Sequence, residues 1–426
     1  MMKKYIPLFL SFLLVLASSC STTKPFTDTS VIESDLSLSE KLELYGGKKV
    51  TVDDPILYFD GSEWLMDMTE MVEEAEDYIL LSTFLGSSCP NLEPLFDTLI
   101  KKAEEGVRVY VIIDGTSSLD MTESKFVMTN LAYLKEKGIK LLVYSPISFT
   151  HLINPVQIII RDHRKMMVID GKLAAIGGMN INFISMGAED KTQRDSMYVF
   201  SSPSLSSLLI DEFVKIWNEG SVDYLDIDSF KKYPATEEYN DAWLFNRNVY
   251  SGDVSIAGMF ATLIGEAKES IFLCPYLPTV DDKMAESLRK AKERGVDVEI
   301  WCSQDSRGYA KAGSSWAVAE LVKDTGAVFH EVTYDENGEL LPMYHMKMMV
   351  VDDRYVVIGS SNFNYRSMTL SHEIALVVDS PSFARKAKEA AKESAGQGVV
   401  LTEEEAKKAK KEYGNYFAYL FSYFGG

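Results

Sequence analysis

The chain has 426 residues, of which 46% are hydrophobic, and this length is enough for two or three compact domains that each bury a core. Its 43 lysines and arginines stand against 63 aspartates and glutamates, which gives a formal charge of −20 at pH 7. This composition excludes a disordered or fibrous chain and disfavours non-specific nucleic-acid binding through a basic surface, while it still allows a local basic pocket.

The first twenty residues have the layout of an export signal. Lys3 and Lys4 precede an apolar run over 5–17, and Cys20 follows two serines at the place of a cleavage site. A cysteine at this point resembles the signal of bacterial lipoproteins, in which the mature chain starts at a lipid-modified cysteine. We therefore expect an exported bacterial lipoprotein that Cys20 anchors on the periplasmic or cell-surface face of a membrane. An ordinary secretory signal and an uncleaved anchor are the alternatives.

The rest of the chain divides into four predicted regions: a tether over 21–44, a first half over 45–228, a second half over 241–385 and a tail over 386–426. The tether is rich in serine and threonine, and the boundary between the halves is the polar stretch 229–240. The tail combines a charged helical run over 403–412 with an aromatic end over 416–424. We expect that end to dock on the body of the protein rather than to touch lipid.

Each half has the same order of predicted elements. Strand, helix and strand are predicted at 79–84, 92–105 and 107–114 in the first half, and at 270–273, 282–294 and 296–301 in the second. Gly106 and Gly295 end the two helices in closely similar surroundings. Alternating strands and helices predict an α/β fold, and their return indicates an internal repeat.

Two of the five histidines open the same spaced pattern. The pattern is a histidine, a lysine two residues later, an aspartate five residues after the lysine, and then a glycine, a small residue and an asparagine. Its copies are His163, Lys165, Asp170, Gly177, Gly178 and Asn180 in the first half, and His345, Lys347, Asp352, Gly359, Ser360 and Asn362 in the second. Because histidine is rare in this chain, two complete copies at equivalent places indicate a functional site and not two core histidines.

The local sequence places the first copy on one surface. Residues 157–169 are apolar and β-branched enough to predict a strand, in which His163 and Lys165 share a face because they are two residues apart. Asp170 and the glycine after it predict a two-residue hairpin turn. In that register Gly178 lies opposite His163, and its small size leaves room for a ligand. The second copy predicts the same arrangement, with Ser360 opposite its histidine.

Two such surfaces, packed across a pseudo-two-fold axis, would surround one point with two imidazoles, two ammonium groups and two amides. This set suits a phosphodiester, because lysines and asparagines bind the non-bridging oxygens while one histidine attacks phosphorus and the other protonates the leaving alcohol. A histidine nucleophile needs a carboxylate on its other ring nitrogen, and Asp195 and Glu373 are the candidates. We expect no metal and no other cofactor, because a lysine on the same strand face would repel a metal cation.

The duplicated motif resembles that of the phospholipase D superfamily, and the resemblance runs from about residue 57 to residue 380. Finer features are similar to the cardiolipin synthase branch, namely the runs at 161–165, 177–180, 359–367 and 372–373. Asn364 stands where that branch more often has aspartate. The resemblance implies two tandem halves, each a mixed β-sheet flanked by helices, packed with pseudo-two-fold symmetry around one active site.

The resemblance also implies a two-step transfer through a phosphohistidine. His163 is then the nucleophile and His345 the acid that later becomes the base, with the reverse assignment as the alternative. The phosphoryl group would be bound by Lys165, Lys347, Asn180 and Asn362. Asp170 and Asp352 belong to the catalytic motif, although their place at the hairpin turn suggests that they brace the loop.

The leading functional prediction is a phosphatidyltransferase of the cardiolipin synthase type, which converts two phosphatidylglycerol molecules into cardiolipin and glycerol. Three alternatives stay open: a phospholipase D that releases phosphatidic acid, a phosphodiesterase or nuclease of the same superfamily, and a lipoprotein that binds lipid head groups without turnover. The expected partner is a phospholipid membrane. Nucleic acid and an obligate protein partner are not expected, and one chain can act as a monomer because it holds both halves of the site.

Overall fold

The computed structural model describes residues 25–119, 131–146, 159–187, 193–235, 239–303, 308–335 and 337–425. The predicted signal over 1–20, with Cys20, lies outside these ranges, as does the start of the tether. Among the described residues, no helix is both long enough and apolar enough to cross a bilayer.

The strands described in these ranges form two mixed sheets. Their bounds are β1 (Lys48–Val52), β2 (Ile56–Tyr58), β3 (Tyr78–Thr83), β4 (Arg108–Asp114), β5 (Lys140–Tyr144), β6 (Arg161–Asp162), β7 (Met166–Ile169), β8 (Leu173–Gly177), β9 (Met197–Phe200), β10 (Asn240–Arg247), β11 (Ser270–Cys274), β12 (Asp297–Cys302), β13 (Val328–Glu331), β14 (Met348–Val351), β15 (Tyr355–Gly359), β16 (Ser371–Asp379) and β17 (Val399–Leu401).

The α-helices of the described residues flank these sheets. Their bounds are α1 (Leu38–Leu44), α2 (Gly61–Glu73), α3 (Glu93–Glu104), α4 (Phe183–Met186), α5 (Pro203–Gly220), α6 (Ser255–Glu266), α7 (Asp282–Glu293), α8 (Gly308–Thr325), α9 (Tyr365–Thr369), α10 (Pro381–Ala395), α11 (Glu403–Tyr413) and α12 (Tyr416–Gly425). Short 3₁₀ turns lie at Pro90–Leu92, Gly115–Leu119, Leu131–Lys137, Ile227–Ser229 and Val249–Ser251.

The two sheets share one plan, which explains the internal repeat. In the sheet ordered β2-β9-β8-β7-β3-β4-β5, an antiparallel set β7-β8-β9 meets a parallel set β3-β4-β5. In the other sheet, β14-β15-β16 and β11-β12-β13 occupy the same positions in the same directions. The predicted fold class, two tandem α/β halves with mixed sheets flanked by helices, is confirmed.

The two halves share a hydrophobic core. Tyr78 and Leu80 of β3 belong to the same buried cluster as Phe272 of β11 and side chains of α5 and α10. The alternate residues of β3, Ile79 and Leu81, face the other way into a core built with α2 and α3. Strands buried on both faces need nearly continuous apolar runs, which is why these strands lack a polar face in the sequence.

Two segments depart from the predicted domain boundaries. Residues 38–44, predicted as tether, form α1, whose Leu42 is fully buried and whose Lys41 is bonded to Glu266 of α6. Strand β1, assigned to the first half, pairs with β10 at the edge of the second sheet. The serine-rich composition concealed the helix, whose start is marked in the sequence only by the capping box of Ser37 and Glu40 and which buries only two side chains.

The tail is helical and lies against the body. Helices α11 and α12 both pack on α8, and the ring of Tyr423 stacks on Tyr365 with centroids 4.4 Å apart. The expectation that the aromatic end docks on the protein is therefore confirmed for the inner face of α12. Its outer face is different, because Tyr416, Phe417 and Phe421 are 50%, 61% and 50% exposed.

Candidate active site

The first motif lies where the chain crosses between the two sheets. The strand predicted over 157–169 is divided in its described part, because β6 pairs in parallel with β16 of the second sheet while β7 belongs to the first. His163 and Lys165 lie in the extended crossing between β6 and β7. The N–H of His163 donates to the carbonyl oxygen of His372 at 2.9 Å.

The second motif is held in the same way by the first half. The N–H of His345 donates to the carbonyl oxygen of Arg194 at 2.8 Å, and the N–H of Arg194 donates to Met343 at 2.9 Å. His372 and Arg194 immediately precede Glu373 and Asp195, so this backbone pairing also delivers the two candidate carboxylates. The motifs of both halves therefore meet at one interface, as the pseudo-two-fold symmetry requires.

Each motif histidine is bonded to a carboxylate of the opposite half. The Nδ1 atom of His163 lies 3.1 Å from Oε2 of Glu373, and the Nδ1 atom of His345 lies 2.6 Å from Oδ2 of Asp195. All four side chains are buried. A carboxylate that accepts Nδ1–H fixes the ring orientation and leaves the lone pair of Nε2 for chemistry.

The two lysines of the motifs also reach the site. The Nζ atom of Lys165 donates to the carbonyl oxygen of His163 at 2.7 Å. The Nζ atom of Lys347 donates to Oδ2 of Asp195 at 3.1 Å and lies 2.7 Å from Nδ1 of His345. Burial and the nearby charge of Lys347 lower the pKa of Lys165 to about 7. The pattern of lysine contacts therefore differs between the two histidines.

The site keeps its histidines neutral and its acids charged. Burial, followed by the neighbouring lysine, lowers the pKa of His163 to about 4 and that of His345 to about 3. Burial alone would raise the pKa of Asp195 and of Glu373, but pairing with the histidines and the charge of the nearby lysine hold both pKa values below the ordinary range. Neutral imidazoles beside ionised carboxylates are the state that a histidine nucleophile requires.

The small residues of the motif make room for the carboxylates and not for a ligand, which corrects the prediction. A Cβ atom on Gly178 would overlap Oδ1 of Asp195. In the second copy, the hydroxyl of Ser360 donates to Oε2 of Glu373 at 2.5 Å. Each small residue therefore adjoins the carboxylate that orients the histidine of the other half.

The hairpins are one residue longer than predicted. Ile169 pairs with Leu173, which leaves a three-residue loop in which Asp170 and Gly171 have φ angles of 52° and 68°. Val351 pairs with Tyr355 in the second copy. The register is therefore shifted by one residue, so Gly178 does not lie opposite His163 and Ser360 does not lie opposite His345.

The motif aspartates bond to backbone groups at the turns. The carboxylate of Asp170 accepts the N–H groups of Glu76, Asp77 and Tyr78 at 2.8–2.9 Å. The carboxylate of Asp352 accepts three consecutive N–H groups in the same way, those of residues 268–270. Strands β7 and β14 separate these aspartates from the motif lysines. Their inclusion among the catalytic residues is corrected accordingly, because they hold the hairpin onto the preceding strand.

The two motif asparagines are buried beyond the ends of β8 and β15. Oδ1 of Asn180 accepts the N–H of Leu85 at 3.2 Å. Oδ1 of Asn362 has no hydrogen-bond partner among the residues that the structure describes. A buried amide oxygen of this kind needs a partner, and a bound substrate or water can supply one.

Two aromatic residues at equivalent places adjoin the motif histidines, and one of them, Phe84, was missed as a site residue. The ring of Phe84 lies 4.9 Å from His163, and the ring of Tyr276 lies 4.4 Å from His345, centroid to centroid. Phe84 follows β3 and Tyr276 follows β11, the corresponding strand of the repeat. Aligning the two halves residue by residue would have found Phe84, since it occupies the same position after β3 as Tyr276 does after β11.

Buried arginines surround the crossing at β6. Arg164 bonds to Asp162 through Nε at 2.8 Å and Nη2 at 3.0 Å, and its Nη1 donates to Oδ1 of Asn246 at 3.1 Å. Arg161 lies 3.4 Å from Asp114. These pairs stabilise the segment that carries His163, because a charge left unpaired at this depth would be strongly destabilising.

Comparison with known proteins shows the same duplication. The family profile described as "Cardiolipin synthase, PLD-like domain" matches residues 68–217 and 260–394. The chain is 26% identical over 360 residues to cardiolipin synthase 1 of Bacillus anthracis, covering 81% of this chain and 67% of that protein. It is 28% identical over 349 residues to cardiolipin synthase 2 of Staphylococcus epidermidis, covering 80% and 67%. The crystal structure of phosphatidylserine synthase from Haemophilus influenzae matches 92% of this chain and 100% of its own, with a TM-score of 0.69 at 14% identity, which shows a common fold.

The bracing role of Asp352 can be tested against its neighbour in the same turn. Asp352→Asn removes the charge shared by three backbone N–H groups, and we expect the free energy of unfolding to fall by about 2 kcal/mol. Asp353→Asn alters an exposed ion pair with Lys388 and should cost less than about 1 kcal/mol. Urea unfolding followed by circular dichroism measures both. Equal losses in the two variants would contradict the bracing role.

Proposed function

The chain belongs to the family of cardiolipin synthase, phospholipase D-like domains and is an enzyme of the phospholipase D superfamily, and from this membership we propose that it is a phosphatidyltransferase that converts two phosphatidylglycerol molecules into cardiolipin and glycerol. The observation that carries the proposal is a single buried site in which each motif histidine is bonded to a carboxylate of the opposite half. The activity named for the curated relatives supports the substrate class.

His163 is the proposed nucleophile. Its Nδ1 atom contacts Glu373, while the nearby Lys165 donates to the backbone and not to the ring. The proton therefore stays on Nδ1, where it is hydrogen-bonded to the carboxylate. The lone pair of Nε2 is free to attack phosphorus. A nitrogen–phosphorus bond forms, the bond from phosphorus to the glycerol oxygen breaks, and the phosphatidyl group remains on His163.

His345 is the proposed acid and base. Asp195 contacts its Nδ1 atom and favours the protonated ring, whereas the charge of Lys347, 2.7 Å from the same atom, favours the neutral ring. Negative charge arriving with the phosphodiester favours the protonated ring, which gives its proton to the departing glycerol oxygen. In the second step the neutral ring takes the proton of the acceptor hydroxyl as that oxygen attacks phosphorus. The bond to His163 then breaks and cardiolipin leaves.

The remaining polar groups bind the phosphoryl oxygens. Lys165 and Lys347 supply positive charge to the pentacoordinate transition state, and the amides of Asn180 and Asn362 supply further polar groups. Burial makes these contacts stronger than they would be in water. Water that reached the phosphohistidine would release phosphatidic acid in place of cardiolipin.

The proposal predicts the lipid products directly. Vesicles of phosphatidylglycerol incubated with the protein should yield cardiolipin and glycerol, and His163→Ala should lower this rate at least roughly a thousandfold because the covalent intermediate cannot form. Asp353→Asn, far from the site, should keep the rate of the unmodified protein. Mass spectrometry of the extracted lipids measures the products.

The same assay separates the alternatives. Phosphatidic acid without cardiolipin would make the protein a phospholipase D, and no lipid turnover would contradict the proposal and direct the assay to nucleic acid and other phosphodiesters. His345→Ala should accumulate protein that carries the labelled phosphatidyl group, because the second step lacks its base. Label on His163→Ala and none on His345→Ala would reverse the two assignments.

The pH dependence follows from the shifted groups of the free enzyme. Lys165 keeps its charge below its pKa of about 7 and loses it above, whereas His163 becomes neutral above about 4. We therefore expect the loss of the Lys165 charge to lower kcat/KM above about pH 7, in addition to the decline that deprotonation of the acid His345 causes at lower pH. Lys165→Arg cannot lose its charge in this range and should move the alkaline fall upward even if the rate is lower. A fall that stays near pH 7 in this variant would assign it to another group.

We also propose that the enzyme is an exported bacterial lipoprotein anchored through Cys20, on the strength of the charged, apolar and small-residue segments that precede this cysteine. Cells that express Cys20→Ser should incorporate no labelled fatty acid into the protein, while the unmodified chain does. Gel electrophoresis with fluorography measures the label. Label of equal intensity on both chains, or none on either, would contradict the anchor.

A further inference from the structure

The loop that holds the ring of Tyr276 against His345 has a strained backbone. Tyr276 lies two residues past the end of β11, and its ring centroid is 4.4 Å from that of His345. Leu277, the next residue, has a φ angle of 48°, which residues with a side chain rarely adopt. The N–H of Thr279 donates back to the carbonyl oxygen of Leu277 at 2.7 Å. A backbone of this kind persists only where the surrounding structure fixes it.

The equivalent loop of the first half is held by the motif asparagine. Oδ1 of Asn180 accepts the N–H of Leu85, the residue directly after Phe84, at 3.2 Å. The second half lacks this bond, since Oδ1 of Asn362 accepts no hydrogen bond from the residues that the structure describes. The loop after β11 is therefore fixed by contacts of another kind.

Helix α12 of the tail supplies these contacts. The hydroxyl of Thr279 donates to the carbonyl oxygen of Ser422 at 3.4 Å. The ring of Tyr423 stacks on Tyr365, the first residue of α9, with centroids 4.4 Å apart and an interplanar angle of 16°. The N–H of Tyr365 in turn donates to the carbonyl oxygen of Thr279 at 2.9 Å. Two successive residues of α12 therefore contact both sides of the junction between this loop and α9.

Helix α12 is itself packed closely on α8. A Cβ atom on Gly313 of α8 would overlap the hydroxyl oxygen of Ser422, so this glycine allows the two helices to approach. The rings of Tyr416 and Tyr419 lie 5.3 and 6.3 Å from that of Trp316, also on α8. The contacts with the loop after β11 therefore come from a helix that the body of the protein holds in place.

We propose that α12 is a positioning element of the active site, which through Ser422 and Tyr423 fixes the loop of Tyr276 against His345. The inference rests on the proposed transfer reaction, in which the ring of His345 gives a proton and later takes one. The ring must keep one orientation through both steps, and the packed ring of Tyr276 confines it. The tail thus does for the second half what Asn180 does for the first.

The accessibility of the two motif histidines in the full chain tests this role. Tyr423→Ala removes the stack on α9, and we expect diethyl pyrocarbonate to modify His345 at least about threefold faster, because the loop beside its ring opens more often. His163, whose neighbouring loop is held within the first half, should react at the rate seen in the unmodified chain. Mass spectrometry of the two histidine peptides measures both rates.

Two variants of the same helix are the controls. Tyr423→Phe keeps the aromatic ring and should leave His345 as slow to react as in the unmodified chain. Tyr416→Ala removes a ring that lies against Trp316 and not against α9, so both histidines should keep their rates. Equal acceleration of His163 and His345 in Tyr423→Ala would indicate general loosening and would overturn the proposal, as would unchanged rates at both.

A second pair of variants acts on the same junction without altering α12. Thr279→Val removes the hydrogen bond to Ser422 but keeps the shape of the side chain, so this chain should fold even if Tyr423→Ala does not. We expect His345 to react about twofold faster in Thr279→Val. Thr279→Ser retains a hydroxyl and should not show this acceleration. Equal rates in the two variants would overturn the part assigned to Ser422.

Turnover of phosphatidylglycerol supplies a separate test. Tyr423→Ala should lower kcat roughly tenfold and leave KM within about twofold, because the loop acts on His345 and not on lipid binding. Tyr416→Ala should keep the kcat of the unmodified protein. A raised KM with unchanged kcat would overturn the proposal. The modification rates need no substrate, so an absence of lipid turnover would contradict the proposed function alone, and those rates would still decide the role of α12.

Discussion

The structure depends on the crosswise bonding of each motif histidine to a carboxylate of the opposite half. Glu373 and Asp195 are fully buried, and a buried carboxylate is strongly destabilising unless charged or hydrogen-bonded groups surround it. Their partners, His163 and His345, come from the other half of the chain. The bond that orients each histidine is therefore also a bond between the halves, and the active site exists only when the two sheets are packed together.

Several positions that recur in both copies of the motif serve this one arrangement. Gly178 lacks a side chain where Asp195 must lie, and Ser360 donates a hydrogen bond to Glu373 at the corresponding place. Asp170 and Asp352 fasten the hairpins that follow the motifs onto the preceding strands. The symmetry is incomplete at the lysines, since each donates to the carbonyl oxygen of its own histidine but only Lys347 also reaches the ring. That difference allows two nearly equal imidazoles to take different parts in one reaction.

The electrostatics of the molecule separate catalysis from approach to the membrane. Lys165 and Lys347 are buried, so their charge acts on a bound phosphate and hardly at all on a distant lipid surface. The outside of the protein is acidic, with a formal charge of −20 for the chain. Contact with anionic lipid must then be local. A lipid anchor at Cys20 would supply proximity to the membrane, but it would not orient the site.

The sequence by itself determined the two α/β halves, the motif residues and the pair of carboxylates, because strand and helix periods are local and because a repeat doubles every signal. It did not determine the hairpin register, since Asp170 takes its place from backbone groups of residues 76–78, far away in the chain. It also missed α1, whose Lys41 bonds to Glu266, and the exchange of β1 into the second sheet; these partners lie at least 188 residues away in the chain. Only the tertiary structure shows which carboxylate bonds to which histidine, because the spacing of residues within one half does not indicate their partners in the other half.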